Sequence, residues 1–419
     1  MRLGRIIMVF ILGCIVSAYY FPFAFTFFPG SLNTKQIMGV VGILCFMFYG
    51  RARGEWKMSR QVVVSALFAI VFSVWCYACI TLNNTNDTSY ASYIVSFSVW
   101  LGGAYGVYSI LKFFHGKADL ALITKYLAAV CLAQCIIALM IDNIPAVKTL
   151  VDTYIEQGQE YFEEVNRLYG IGAALDPAGV RFTVALVLLA HQISKNPEIN
   201  ESRGLLRLFI LIFLAVSVIG NMISRTTSVG MAMGLAYIGL NSFRMRQSEM
   251  TTAQMRTVSV LATMIGLTVV LLIYLYNTNA EVHNLLRFAF ESFFNWMETG
   301  EFRTDSTDKL NAVMWIWPKT TEAWIYGTGL FDNFIYSTDI GYCRFTLYCG
   351  LVGLVIFALF FIYNTLSVVT KFNDSTLMCL LLLSLTFIIW FKVATDLFFI
   401  NALLFCIDPD VEEDESLIL

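Results

Sequence analysis

Long apolar stretches separated by short polar ones run along most of the chain. A membrane-spanning helix needs about 20 mostly apolar residues, and most of these stretches reach or approach that length. They predict transmembrane helices at 6–28, 36–50, 60–82, 90–114, 119–141, 178–194, 204–222, 225–243, 256–276, 345–370, 375–390 and 392–407. The short ones can be accommodated by local thinning of the bilayer or by burial against neighbours. About twelve spans are therefore expected, and ten or eleven are also compatible with the pattern.

The amino-acid composition is also typical of a membrane protein. Hydrophobic residues make up 58% of the 419 residues and charged residues 14%, whereas a soluble domain carries about 25% charged residues. The predicted fold is an all-α, polytopic membrane bundle. Its predicted parts are spans one to five in 1–142, an external segment at 143–177, spans six to nine in 178–276, a long external segment at 277–344, spans ten to twelve in 345–407 and an acidic tail at 408–419. The net charge of −3 gives no indication of a nucleic-acid partner.

Basic residues are concentrated in alternate polar gaps. The basic gaps contain Arg2, Arg5, Arg51, Arg53, Lys57, Arg60, Lys112, Lys117, Lys125, Lys195, Arg203, Arg207, Arg244, Arg246, Arg256 and Lys371. Cytoplasmic loops of membrane proteins are enriched in Lys and Arg. The alternation therefore predicts cytoplasmic termini and places segments 143–177 and 277–344 outside.

The two long external segments contain apolar residues at helical spacing. In the first, we expect an amphipathic helix at Val147–Leu168, either as a structural cap over the bundle or as a gate for a substrate. In the second, Glu281–Trp296 and Asp305–Trp324 are expected to be helical, and Gly327 and Gly329 then interrupt the pattern.

The second external segment is rich in Trp and Tyr. Its candidates for contact with a carbohydrate are Trp315, Trp324, Tyr326 and Tyr336, because flat apolar rings pack against the C–H faces of sugars. Aromatic residues are also enriched where a membrane meets water. An interfacial belt therefore explains the same composition.

No spacing of His, Cys or acidic residues typical of a metal site occurs, and neither a metal nor a cofactor is expected. Cys76 and Cys79 form a C-x-x-C pair, but they lie within an apolar span. Packing is the default role of cysteine in such a place.

A few charged residues lie at the predicted outer ends of spans, against the general bias. Arg181, Arg225 and Arg344 lie at the starts of the sixth, eighth and tenth spans, and Lys392 and Asp396 lie one helical turn apart near the last. Charge within a membrane is costly, and a function is one explanation for it. Snorkelling of Arg to the head groups and an i,i+4 ion pair between Lys392 and Asp396 are the alternatives.

The segment Ser224–Ser228, which reads Ser-Arg-Thr-Thr-Ser, joins two spans with almost no loop. Ser224 is expected to be an N-cap, so that free N–H groups of the next helix and the Arg225 guanidinium lie at one point. This combination suits an anion, best a phosphate. Arg181 begins its helix at the same depth. Two or three arginines, with Arg344 as the third, are therefore expected to converge on one anion.

Several short motifs follow one another along the chain from Arg167 to Gly353. They are Arg167-Leu-Tyr-Gly, Asp176-Pro-Ala-Gly179, Ser224-Arg225-Thr, Gly327-Thr-Gly329, Asp339-Ile-Gly-Tyr and Gly350-Leu-Val-Gly353. The order resembles that of bacterial Wzy-type O-antigen and exopolysaccharide polymerases and of the related O-antigen ligases, over about 167–400 and in span number. The polymerases' Arg-x10-Gly element is not met: Arg167 and Gly179 are one residue too far apart, and Arg181 has no Gly at that spacing.

The resemblance implies a GT-C-like helical fold and a metal-independent, inverting glycosyltransferase in the bacterial cytoplasmic membrane. Such an enzyme joins repeat units linked to undecaprenyl diphosphate at the outer face. The family arginines that hold the diphosphate match Arg181 and Arg225 best and Arg344 less closely. A chain-length regulator protein is the further partner that the resemblance implies.

The resemblance also implies catalytic roles. Fixed cations, with Arg225 foremost, stabilise a leaving diphosphate without a metal, and a carboxylate is expected to deprotonate the acceptor hydroxyl. Asp339 follows the Gly-x-Gly turn in the matching motif and is the candidate base, with Glu322 and Asp332 as alternatives. Ligases of this family usually have a His here, and Tyr336–Asp339 contains none, which favours a polymerase. The alternatives are a ligase acting on a lipid A core, and a transporter or flippase of the lipid-linked unit.

The predicted orientation can be tested by single cysteines introduced on a cysteine-free background. Cysteines at 51–60 and 244–256 should resist a membrane-impermeant thiol reagent in intact cells, because these basic loops are predicted to be cytoplasmic. Cysteines in 143–177 and 277–344 should react. Labelling of the 244–256 loop in intact cells would overturn the orientation.

Overall fold

The structure is a computed structural model, and it describes residues 2–28, 32–53, 58–158, 167–243, 252–331, 336–372 and 375–409. The helices are α1 (Arg2–Tyr20), α2 (Thr34–Arg53), α3 (Arg60–Asn83), α4 (Tyr93–His115), α5 (Leu120–Asn143), α6 (Pro145–Tyr154), α7 (Leu175–Lys195), α8 (Pro197–Glu201), α9 (Arg203–Ile223), α10 (Thr227–Phe243), α11 (Thr252–Thr278), α12 (Ala280–Ala289), α13 (Glu291–Thr299), α14 (Asp305–Lys309), α15 (Thr321–Tyr326), α16 (Gly341–Lys371), α17 (Thr376–Ile389) and α18 (Phe398–Cys406). A π-helical turn, Leu310–Met314, continues α14. Two short strands, β1 (Ala24–Phe25) and β2 (Ile155–Glu156), pair antiparallel.

Among the described residues, eight helices are long and apolar enough to cross a membrane, namely α1, α3, α4, α5, α7, α9, α11 and α16. Apolar helices α2 and α17 are shorter. Many large apolar side chains of these helices are exposed on the surface of the bundle, as lipid contact requires. The prediction of an all-α, membrane-embedded protein is confirmed at this level.

Local sequence explains where several helices begin. Ser59 and Asp119 accept hydrogen bonds from the amides of Val62 and Leu122, at 3.3 and 2.9 Å, in the first turns of α3 and α5. Side-chain oxygens of this kind satisfy helix amides that have no partner within the helix.

Helix α7 forms the centre of the bundle. Every side chain from Ala178 to Ile193 except Arg181 is buried. At Gly179 a Cβ would lie 2.5 Å from the Ser224 hydroxyl. Glycine therefore lets α7 approach the connection between α9 and α10 closely.

The two ends of the bundle differ. One end, which we call the loop-rich end, carries α6, the β1–β2 pair and α12 to α15. At the opposite end the chain after α18 is bound to α4 and to the loop that follows it: Asp408 pairs with Lys112 at 2.7 Å and accepts a hydrogen bond from the Ala118 amide at 3.0 Å. Most of the predicted acidic tail lies outside the described residues.

Helix α16 is broken near its loop-rich end. Gly350 has φ of +67°, a conformation that residues with a side chain rarely adopt. The carbonyls before the break are bound from outside the helix: Leu347 accepts from the Thr328 amide at 2.6 Å, and Cys349 accepts from the Trp75 indole at 2.8 Å. The break therefore holds the Gly327–Gly329 turn against the bundle.

The predicted last span, 392–407, is only partly helical, although Lys392 and Asp408 at its two ends are bound at opposite ends of the bundle. Only Phe398–Cys406 is helical, and at about 1.5 Å per residue it is much shorter than the bilayer core. Lys392 has a distant partner, and Asp396 accepts a hydrogen bond from the Phe398 amide at 3.0 Å. These polar contacts replace the helix at 392–397.

Two further predicted helices end early. The first span was expected at 6–28, but α1 ends at Tyr20 and β1 follows it. The amphipathic helix expected at Val147–Leu168 stops at Tyr154, because Ile155–Glu156 pairs with Ala24–Phe25. Residues 159–166 of that prediction lie outside the described part of the chain.

The helices predicted in segment 277–344 are found with interruptions. Glu281–Trp296 is divided at Phe290 into α12 and α13. Asp305–Trp324 is helical at both ends, but the chain leaves the helix between Trp315 and Thr320, where Pro318 lies. Proline cannot donate a backbone hydrogen bond and therefore favours a break.

Candidate functional site

A cavity of about 580 Å³ lies at the loop-rich end, bounded by α10, α17 and the short elements α12 to α14. Two cations, Arg225 and Lys392, line it. Its other polar lining residues are Thr226, Ser228, Ser292, Thr304, Ser306, Thr307 and Asn311. Its apolar lining residues are Val229, Met231, Ala289, Phe290, Phe293, Phe302, Leu310, Trp315, Ile388, Ile389 and Phe391. The cavity thus combines a cationic part with a largely apolar wall.

Arg225 lies in the connection between α9 and α10. Its guanidinium forms an ion pair with Glu291, donates to the Ser306 hydroxyl at 3.0 Å and lies 4.6 Å from the centre of the Phe288 ring. The two charged side chains are mostly buried, with 14% and 18% of their surface exposed. Because these partners all belong to 288–306, Arg225 joins that segment to the membrane helices.

Lys392 follows α17 and forms an ion pair with Asp176 of α7. Its Nζ lies 2.6 Å from Asp176 Oδ1 and 3.1 Å from the Thr226 hydroxyl. Asp176 Oδ1 also accepts hydrogen bonds from the hydroxyls of Ser224 and Thr226, at 3.2 and 2.7 Å. Lys392 therefore pairs with Asp176, and not with Asp396 as one sequence interpretation had it.

Ser224 does not act as the predicted N-cap. Its own amide bonds the Gly220 carbonyl at the end of α9, and its hydroxyl donates to Asp176. The Ser224-Arg225-Thr226 connection is thus fixed by the carboxylate of Asp176. This contact orients Arg225 toward the cavity.

A second arginine lies close to Arg225. The guanidiniums of Arg167 and Arg225 lie 5.0 and 4.6 Å from the centre of the same Phe288 ring. Burial, and then the charge of Arg167, lower the pKa of Arg225. Arginine nevertheless stays protonated at neutral pH, because its ordinary pKa is about 12 or higher. The region around Phe288 is therefore strongly cationic.

Arg181 does not reach this cavity. Its guanidinium donates to the backbone carbonyls of Tyr20 and, at 2.7 Å, Pro177, and it lies 5.1 Å from the centre of the Phe399 ring. It therefore faces α1 and α18. The expected convergence of Arg181 with Arg225 is not found.

Arg344 is also separate from Arg225. It lies in the first turn of α16, donates to the Phe331 carbonyl at 2.7 Å, and has its guanidinium 3.9 Å from the centre of the Phe331 ring. Its neighbour Asp339 is half-buried, and no side chain caps α16 at Ile340. Helix α16 therefore begins without a side-chain cap.

Asp339 does not line the cavity, although the charge of Lys392 acts on its carboxyl. Burial raises the pKa of the Asp339 carboxyl, and Arg344, Lys309 and Lys392 act in the opposite direction. The negative charge of Asp176 raises it further. A carboxyl with a raised pKa is better suited to accept a proton.

Some of the predicted aromatic residues lie at or near the cavity, and others lie away from it. Trp315 lines the cavity, its ring centre lies 5.9 Å from that of Trp317, and Trp317 stacks on Trp324 at 5.6 Å. These three rings form a row that leads away from the cavity. All three are accessible on at least part of their surface.

The remaining predicted residues lie away from the cavity lining or outside the described chain. Tyr326 packs against the hydrophobic core, and Tyr336 donates a hydrogen bond to the Thr328 hydroxyl at 3.0 Å. Glu322 is exposed in the first turn of α15. Asp332 lies outside the described residues.

Sequence reasoning missed three residues of the site. Asp176 belongs to a quoted motif and lies just before Arg181, but nothing local indicates that it pairs with Lys392. Glu291 is one of several acidic residues in an amphipathic segment, and Phe288 is one of 35 phenylalanines. Only the fold brings them together.

No protein-family model matches the chain, and neither the curated proteins nor the solved structures contain a match. The function therefore has to be inferred from the site itself. Among the described residues, no group of His, Cys, Asp and Glu is arranged to hold a metal ion. The side chains present can bind an anion between cations and can cover an attached apolar chain.

We expect the Asp176–Lys392 pair to stabilise the site. Because both side chains are less than a third exposed, a double-mutant cycle with Asp176→Asn and Lys392→Met should give a coupling of about 1–2 kcal/mol in thermal or denaturant unfolding. The matched control is the exposed pair Lys125–Glu198, at 2.9 Å, with Lys125→Met and Glu198→Gln, where coupling should stay below about 0.5 kcal/mol. Equal coupling for the two pairs would contradict this interpretation.

Proposed function

We propose that this protein polymerises undecaprenyl-diphosphate-linked oligosaccharide repeat units at the outer face of a bacterial cytoplasmic membrane. The observation that carries the proposal is a cavity whose lining combines the cations Arg225 and Lys392 with a largely apolar wall. A lipid diphosphate has the same two properties, a polyanion joined to a hydrocarbon chain. The motif order quoted above, which resembles that of Wzy-type polymerases, supports the same substrate class.

In the proposed site the diphosphate lies between the Arg225 guanidinium and the Lys392 ammonium. Arginine offers a planar fork that matches phosphate oxygens, and lysine offers a point charge. Lys392 is held in place by Asp176 and Thr226. The geometry favours Lys392 over Arg181 or Arg344 as the second cation, because only Arg225 and Lys392 among these four line the cavity.

The proposed reaction needs a nucleophile, a leaving group and a place for one proton. The acceptor hydroxyl oxygen forms a bond to the anomeric carbon of the donor, while the bond from that carbon to the diphosphate oxygen breaks. The diphosphate leaves with the electron pair, and the two cations stabilise its developing charge. A carboxylate accepts the hydroxyl proton. Attack from the side opposite the leaving group inverts the anomeric configuration.

Asp339 remains the proposed base. It is half-buried, and the charge of Lys392, the cation proposed to hold the diphosphate, acts on its carboxyl. Exposed Glu322 lies in α15, away from the lining. The row formed by Trp315, Trp317 and Trp324 gives the growing glycan a set of flat apolar faces leading out of the cavity.

The wider architecture stays part of the proposal. The proposed protein is a GT-C-like bundle with about twelve spans, cytoplasmic termini and an external cavity; the eight long apolar helices and the two shorter ones support only that it is embedded in a membrane. A chain-length regulator protein is the proposed partner. A ligase would use the same donor site as the polymerase, whereas a flippase would only bind the same lipid-linked unit. The phenotypes of variants therefore distinguish these alternatives.

Arg225→Ala should remove polymer from the cell surface while the protein remains in the membrane. The loss in turnover should be at least about a hundredfold, because one fixed donor to a developing anion is removed. Arg225→Lys should rescue only in part, since a point charge lacks the fork. The readout is the length distribution of surface glycan, which should collapse to single units.

Other phenotypes would identify the alternatives. Complete loss of surface glycan with the polymer retained on its lipid carrier indicates a ligase. Units trapped on the cytoplasmic leaflet indicate a flippase. Polymer of normal length in cells that carry Arg225→Ala would show that Arg225 has no role in binding the donor.

Asp339→Asn keeps the shape of the side chain but removes the base. We expect purified Asn variant to bind donor normally and to turn over at least about a hundredfold more slowly. In the wild type, the rate should rise with pH through the raised pKa of Asp339, because the carboxyl must be ionised to accept a proton. That rise should be absent in the variant. Near-normal turnover would assign the base to Glu322, Asp332 or the substrate.

A further inference from the structure

The Arg225 side chain already holds an anion. The carboxylate of Glu291 pairs with it, and both side chains are largely buried. A buried cation needs such a partner, because an unpaired charge away from water is costly. Glu291 lies between Phe290 and Ser292, which both line the cavity. The resident carboxylate is therefore beside the place that a bound diphosphate would occupy.

The same carboxylate fixes the elements around the cavity. One oxygen of Glu291 pairs with Arg225, and the other accepts a hydrogen bond from the amide of Asp305 at 2.7 Å. Glu291 begins α13, and Asp305 begins α14. Arg225 also holds Ser306 of α14. One ion pair thus connects the α9–α10 connection with the starts of two short helices.

A diphosphate and the Glu291 carboxylate compete for the Arg225 guanidinium. Two anions at one guanidinium repel each other, and the Ser306 hydroxyl already accepts from the same group. Binding of the diphosphate therefore favours the exchange of one anion for the other. After exchange, Glu291 keeps only its hydrogen bond to Asp305 among these contacts.

We propose that Glu291 is a resident counter-ion which the lipid diphosphate displaces from Arg225, and that this exchange releases the start of α13 from the membrane helices. The inference rests on the proposed function, since it takes the diphosphate of the donor as the displacing anion. Glu291 then sets the donor affinity. Only the population with a free Arg225 binds donor, so the apparent affinity is reduced by the fraction that is free.

The test measures binding of farnesyl diphosphate, which carries a diphosphate and a short polyprenyl chain, to the full-length protein in nanodiscs. Glu291→Gln removes the charge but keeps an oxygen for the Asp305 amide. It should bind at least about fivefold more tightly than the wild type, because the ion-paired state is lost. Glu298→Gln is the matched control: Glu298 lies in the same helix and pairs with Arg287 away from the cavity lining. It should bind like the wild type.

Hydrogen–deuterium exchange gives a second readout. In the wild type, farnesyl diphosphate should increase exchange in 291–299. In Glu291→Gln, exchange there should be high already without ligand and change little on binding. Lack of any ligand effect on 291–299 in the wild type would overturn the release of α13.

The binding measurements also distinguish the counter-ion exchange from the proposed donor site. If the wild type binds, Arg225→Ala loses binding, and Glu291→Gln binds no more tightly than the wild type, the counter-ion exchange is overturned and the proposed function stands. If the wild type binds farnesyl diphosphate no better than Arg225→Ala, the proposed donor site and the exchange are both overturned.

Discussion

Pairing of buried charge governs the loop-rich end of this protein. Charged groups removed from water are stable only with partners, and here the partners come from distant parts of the chain. Asp176 of α7 holds Lys392 beyond α17, and Arg225 between α9 and α10 holds Glu291 of α13. These two ion pairs assemble the cavity, because its wall is made of the elements that they connect.

The cavity has a chemical character that follows from this assembly. The carboxylates of Asp176 and Glu291 do not line the cavity, and Arg225 and Lys392 are the charged groups among its described lining residues. The hydroxyl-rich and aromatic residues of 288–315 form one side, and apolar residues of α10 and α17 form the other. A ligand with an anionic head and a hydrocarbon chain satisfies both parts. This complementarity is the physical basis of the proposed donor site.

Much of the fold could be predicted from the sequence. Where a predicted helix is not found in full, a particular contact of its residues explains the difference. Apolar length and charge predicted the membrane helices, because a helix satisfies its own backbone in lipid. The helix expected at 392–407 begins only at Phe398, because Lys392 and Asp396 have polar contacts that no local pattern reveals. The helix expected at Val147–Leu168 failed because Ile155–Glu156 pairs with a strand more than a hundred residues away.

The site could be predicted only in part. Arg225 and Trp315 were singled out from their positions, and both line the cavity. The predicted convergence of arginines was wrong, because the depth of a residue along its helix does not determine which way its side chain points around the helix. Arg181 faces α1 and α18, whereas Asp176, five residues earlier, faces Lys392. Glu291 and Phe288 carry no local signal, since their importance comes from Arg225 alone.

The central claim is that Arg225 and Lys392 together bind a lipid diphosphate. The most direct measurement is an experimental structure of the protein in nanodiscs with undecaprenyl diphosphate. We predict a diphosphate with oxygens about 3 Å from the Arg225 guanidinium and from Lys392 Nζ, and a hydrocarbon chain against α10 and α17. A diphosphate bound instead beside Arg181 or Arg344, with the Arg225–Glu291 pair intact, would contradict the account.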